Sequence, residues 1–147
     1  MPDRAFVDTN VLIYAYDLDA GRKHDIAARA MASLWEEGGG VLSIQVLQEF
    51  YVNVTRKIPI PLSPVQARGV VGAYASWIAK TTGMETLLHA SEIEERHQLS
   101  FWDSLIVASA HDAGADRILS EDFQPGQRIE GIVVENPFLD SGRQAPR

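Results

Sequence analysis

Short strand-like runs alternate with helix-length segments along this chain, and that alternation limits the fold more than any other feature of the sequence. Ala5-Phe6-Val7, Val41-Leu42, Arg117-Ile118-Leu119 and Ile132-Val133-Val134 are the runs. They show no regular polar alternation, the pattern of strands covered on both faces of a sheet. Buried strands joined through helices predict an α/β fold, with a central, mainly parallel sheet of about five strands flanked by helices.

The helical segments carry their own start and stop signals. A helix is predicted from about Lys23 to Glu37, with Ile26, Ala30 and Leu34 four residues apart and Gly38-Gly39-Gly40 ending it. Ser43 is placed to N-cap a helix running to about Lys57. Ile58-Pro59-Ile60-Pro61-Leu62 is extended, because proline disfavours helix at the residue before it. Ser63-Pro64 opens the next helix. Between Trp77 and Thr82 a helix end and a short strand fit equally well. Helices near 85–97 and 101–113 follow, the second closed by Gly114.

At 147 residues the chain has room for one domain, expected over residues 1–140, with a flexible polar tail over 141–147. No repeat or linker divides it. Cysteine is absent, which removes thiol nucleophiles and Cys-based zinc sites and fits a reducing cytoplasm. No stretch is apolar for long enough to span a bilayer, and no leader pattern opens the chain, so a cytoplasmic protein without a membrane partner is expected. The formal charge is −7, and −9 over residues 1–140, since the tail holds Arg143 and Arg147 and no acid. Such a surface repels phosphate backbones, so a nucleic-acid enzyme of this composition has to bring positive charge as bound metal.

In an open parallel sheet, reactive groups collect beyond the carboxyl ends of the strands. Asp8-Thr9-Asn10 and Ser120-Glu121-Asp122 occupy two such places. Asp103 begins the helix before the third named run. On the reading that helices antiparallel to the strands present their amino ends at the opposite edge, Asp103 reaches Asp8 only if its helix departs from simple winding. Each acid also has a structural reading, and taken singly that reading comes first. Asp8 is a helix N-cap, Ser100 and Asp103 a capping box, and Asp122 an Asx turn. Glu49 lies almost opposite the apolar stripe of Leu47, Phe50, Tyr51 and Val54, where periodicity places a solvated glutamate.

Other chemistries fail on spacing. The glycine triplet precedes a strand and no Gly-Lys-Ser/Thr follows it, so no phosphate loop is supported. His24, His89, His97 and His111 never fall at zinc-ligand spacing and read as surface or capping histidines. An aspartyl-nucleophile phosphatase wants a second acid two residues after Asp8, where this chain has Asn10.

Taken in order, Phe6-Val7-Asp8-Thr9-Asn10-Val11-Leu12, Leu47-Gln48-Glu49-Phe50-Tyr51, Ser100-Phe101-Trp102-Asp103-Ser104-Leu105-Ile106 and Leu119-Ser120-Glu121-Asp122 resemble the PIN-domain ribonucleases, specifically the VapC-type toxins of toxin–antitoxin pairs. The resemblance runs from Phe6 to about Phe138. It implies that Asp8, Glu49, Asp103 and Asp122 are the four acids of one catalytic metal site, with Glu49 and Asp103 turned toward it. It implies supporting roles for Thr9, Asn10 and Ser120, while Glu121 is an additional acid with no assigned role. Oxygen-only ligands favour Mg²⁺, with Mn²⁺ as an alternative. The implied activity is metal-dependent hydrolysis of RNA, and the implied partners are the RNA substrate, a cognate antitoxin and a second copy of the chain in a homodimer. Arg22, Lys23, Arg56 and Lys57 are candidates for guiding the RNA backbone, against a plain solvated face. The competing readings are a catalytically silent PIN-like module that binds RNA or protein, and the phosphatase.

Overall fold

The computed structural model describes residues 3–78 and 83–139. The proposed tail over 141–147 and most of the ambiguous stretch before Thr82 lie outside them. The elements are β1 (Ala5–Val7), α1 (Thr9–Tyr16), α2 (Arg22–Glu37), β2 (Gly40–Val41), α3 (Ile44–Arg56), α4 (Pro64–Ala73), a single 3₁₀ turn (Ala75–Trp77), α5 (Met84–His97), α6 (Phe101–Asp112), β3 (Arg117–Leu119), β4 (Arg128–Ile129) and β5 (Ile132–Glu135). The sheet order is β2-β1-β3-β5-β4. Its first four strands are parallel, with Phe6 beside Val41 and Ile118 and with Ile118 beside Val134; β4 alone runs antiparallel.

β1 is buried at all three positions, as its unbroken apolar run requires. Most caps are those expected: Ser43 accepts the Val46 N–H, and Ser63 and Gln66 exchange bonds in a capping box. Around Trp77 the chain makes a 3₁₀ turn and then one parallel bridge, Leu42 to Ile78. The α2 stripe is displaced from expectation. Ala27, Met31 and Leu34 are buried, whereas Ile26 and Ala30 are half-buried, because α2 presents the adjoining three-residue row to the core.

β4 was not among the runs read from sequence. It is two residues long and returns to β5 through Glu130-Gly131, both with positive φ (51° and 81°). Ile129 pairs with Ile132 across them, which is the two-residue hairpin turn compatible with strand twist. α6 is buried from Ser104 through Ala110 and forms the interior helix of the domain. Among the described residues, no helix is long and apolar enough to cross a membrane.

Gly40 is required by packing. A Cβ there would overlap three atoms of the Trp77 ring. That ring is buried and wedged between Trp35 and Tyr74, with centroids 5.1 and 4.9 Å away. Gly40→Ala is therefore expected to lower stability by about 1–3 kcal/mol. A urea midpoint unchanged from the parent would show that the ring yields freely.

Candidate metal centre

Parallel strands β1 and β3 end side by side, and the residues just beyond them form the site. Asp8 follows Val7 and caps α1, its Oδ1 accepting the Thr9 N–H at 2.8 Å. Its Oδ2 accepts the Ser120 hydroxyl at 2.7 Å, from the residue after β3. The capping reading of Asp8 and its place at the sheet edge are thus compatible: one carboxylate starts the helix and faces its neighbours.

Asn10 ties the two strand ends together. Its Nδ2 donates to Asp122 Oδ2 at 3.0 Å, and lies 3.3 Å from Ser120 Oγ and 3.4 Å from Asp8 Oδ2. Its Oδ1 accepts the Glu121 N–H at 3.2 Å. Asp122 makes no Asx turn of its own; its N–H donates to Ser120 Oγ at 3.0 Å, leaving its carboxylate to Asn10.

Asp103 joins this group by charge: its carboxylate acts on Asp8, and Asp122 acts on both. The amino end of α6 lies at the same edge as Asp8, not at the opposite edge as expected. A helix antiparallel to the strands begins, rather than ends, at the edge where the strands end. α6 shows this at its far end, where Arg4, at the start of β1, donates to the Ala113 carbonyl at 3.0 Å. No departure from simple winding is needed. Ser100 caps the Asp103 N–H at 3.1 Å, while the reciprocal half of a capping box is not formed.

Glu49 is exposed, as its position opposite the α3 stripe dictates. It is nonetheless tied to the site, accepting the Thr9 hydroxyl at 2.8 Å through Oε1. The structure joins Asp8 and Asp122 through Asn10 at the sheet edge, brings Asp103 near enough to act on Asp8 by charge, and ties Glu49 to Asp8's neighbour Thr9.

Burial pushes the Asp8 carboxyl up to about 6, and Asp122 and Asp103 add to this, against the lowering effect of Ser120 and the Thr9 N–H. Asp8 is 5% exposed. The Asp103 carboxyl is also raised, chiefly by burial and further by Asp122, with Ser100 opposing. Acids held this way gain from a divalent cation, and an all-oxygen donor set suits a hard one. These residues therefore fit Mg²⁺ or Mn²⁺ in chemistry.

Sequence reasoning left Glu121 unassigned. It accepts the Tyr14 hydroxyl at 2.7 Å and pairs with Lys23 at 2.7 Å. That pair, with Lys23 over the Tyr14 and Phe138 rings, anchors the loop carrying Asp122 to α1 and α2. Lys23 is accordingly engaged with Glu121 and the two rings while its side chain stays partly exposed. Arg22 donates to the Phe138 carbonyl at 3.0 Å.

A mainly parallel sheet with carboxylates just beyond the ends of its adjacent strands β1 and β3 defines a class of acid-lined α/β domains. The chain belongs to the PIN domain family, whose model matches residues 5–127. No curated protein matches it. Among solved structures it is similar to the DNA-bound VapBC of Salmonella typhimurium, with TM-score 0.63, 17% identity, and coverage of 92% of this chain and 99% of that one. It is also similar to VapC20 of Mycobacterium tuberculosis, described as a sarcin–ricin loop cleaving toxin, with TM-score 0.59, 21% identity, and coverage of 80% and 89%. VapBC2 of Rickettsia felis, bound to a promoter DNA fragment, gives TM-score 0.56, 18% identity, and coverage of 90% and 97%. At these identities the likeness establishes the fold.

Proposed function

We infer that the protein is a metal-dependent ribonuclease acting as the toxin of a toxin–antitoxin pair. The observation that carries this reading is the convergence of Asp8, Asp103 and Asp122 from three separate segments, with the buried Asp8 carboxyl pushed up to about 6. A silent binding module has no need to confine like charges at the end of its sheet. An aspartyl phosphatase needs an acid where Asn10 instead donates its amide to Asp122.

In this reading Asp8 and Asp103 are the main metal ligands, and Asp122 and Glu49 complete the site. A bound Mg²⁺ would polarise the scissile phosphate and lower the pKa of its water. The chain's own groups do the positioning. Ser120 and the Thr9 N–H hold one Asp8 oxygen each, Asn10 keeps Asp122 beside Asp8, and Thr9 orients Glu49. The acidic surface then favours RNA binding only after the cation has neutralised the pocket.

The same reading supplies a cognate antitoxin and a homodimer.

The test is cleavage of a mixed cellular RNA pool by the purified protein with Mg²⁺, with Mn²⁺ and with EDTA, beside Asp103→Asn. Discrete fragments are expected with metal only, with rates at least about a hundredfold lower in the variant. Co-purification with the product of an adjacent gene should suppress cleavage. Folded protein that cuts no RNA in either metal would overturn the nuclease reading, and cleavage unaffected by any neighbouring product would overturn the toxin reading.

A further inference from the structure

Three of the chain's four histidines gather with two acids where α5 packs on α6 and the β4–β5 turn comes against them. This is the opposite end of α6 from Asp103. His89 on α5 and His111 and Asp112 on the last turn of α6 offer ligand atoms that all lie within 4.8 Å of one another. The two imidazoles meet edge to face, with centroids 5.0 Å apart and planes at 78°. Asp112 Oδ2 accepts the Thr86 hydroxyl at 2.6 Å, which fixes the carboxylate from behind. Glu130, at the hairpin turn, places Oε1 3.2 Å from His89 Nε2, and Oε2 3.0 Å from His97 Nε2 and 3.1 Å from Arg96.

We propose that His89, His111 and Asp112 form a second metal site, selective for Zn²⁺ or a similar borderline ion such as Co²⁺ or Ni²⁺. Two imidazoles and one carboxylate suit such ions, whereas the oxygen-only set at the sheet edge suits Mg²⁺. A tetrahedral ion with bonds of about 2 Å spaces its ligands about 3.3 Å apart, so side-chain movements on the order of 1 Å close the set. Exposed His111 gives the ion a way in. The surrounding groups match what metal ligands require around them. Thr86 orients Asp112, and the Glu130 carboxylate is placed to orient His89 or to turn in as a fourth ligand. The bound ion would fasten α5 to α6 at the end remote from the acids. Sequence spacing could not reveal the set, because His89 and His111 are brought together only by the packing of two helices.

The experiment is calorimetric titration of Zn²⁺ into the Asp8→Asn/Asp103→Asn double variant, so that the sheet-edge acids contribute little, with His111→Ala added in the same background. One Zn²⁺ per chain is expected, with affinity at least about tenfold lower after His111→Ala. The metal-free melting temperature should not change, since His111 is exposed. Co²⁺ in place of Zn²⁺ should give the strong visible absorption of a four-coordinate site, lost in His89→Ala. Absence of Zn²⁺ uptake, or uptake that His111→Ala leaves untouched, would leave the cluster as an ion-pair network joining α5 to the hairpin and overturn the proposal.

Discussion

Asp8→Asn is expected to melt at a higher temperature than the parent protein near neutral pH, and to cleave RNA at least about a thousandfold more slowly. Both effects come from one cause. The Asp8 carboxyl stands at about 6 against 3.8 when unburied, mainly because burial strips water from its charged form. A native pKa above the unfolded one means that the native state holds the proton through the interval between them. The contribution of Asp8 to stability is then greatest below about 4 and falls as pH rises from about 4 to about 6. A shift of this size corresponds to about 3 kcal/mol at neutral pH. Asparagine removes the buried charge but fits less well between the Thr9 N–H and the Ser120 hydroxyl, so the net gain is expected to be about 1–3 kcal/mol. Thermal melts from pH 4 to 8 check it: the parent should lose more stability across the window than the variant, in which the raised Asp103 carboxyl still titrates. Added Mg²⁺ should raise the parent's melting temperature and leave the variant's nearly unchanged. A variant that is less stable than the parent in metal-free buffer would show that Asp8 is needed more as a helix cap than it costs as a buried charge.

The same residue shows how much of the site can be read from sequence. Asp8 and Ser120 follow short apolar runs directly and Asp122 comes two residues later, and residues that follow parallel strands share an edge whatever the details of packing. For Asp103 only the direction of its helix differs from expectation, and the α6-to-β3 connection itself fixes which end of α6 lies at that edge. Glu49 is different. Periodicity placed it in solvent and it is in solvent, yet the Thr9 hydroxyl, 40 residues earlier, reaches it. No one-dimensional pattern carries that bond; only the resemblance to a known family pointed there. Strand β4 escaped because two residues are too few for a period and Glu130-Gly131 is not a common hairpin turn sequence. Glu121 escaped because its neighbours Tyr14 and Lys23 are about a hundred residues away in sequence. Patterns along the chain report which face a residue takes from its own element. They do not report which residue of another element that face meets.

Asn10→Asp carries the other large effect, in the opposite direction. Asn10 donates to Asp122 Oδ2 at 3.0 Å and lies 3.4 Å from Asp8 Oδ2, so a single amide bridges two acids. Aspartate keeps the acceptor that receives the Glu121 N–H but replaces the donor with an anionic oxygen facing two others. A loss of about 2–4 kcal/mol is expected without metal, lowering the melting temperature on the order of 10 °C. Repulsion among clustered carboxylates is what a divalent cation relieves, so Mg²⁺ should stabilise Asn10→Asp by more than it stabilises the parent. Melting curves of both proteins across a Mg²⁺ series separate the two parts of the argument. If Asn10→Asp matches the parent in metal-free buffer, Asn10 does not hold the acids together. If it is destabilised and Mg²⁺ restores nothing, the acids do not share a cation, and the reading of the sheet edge as a metal centre fails with it.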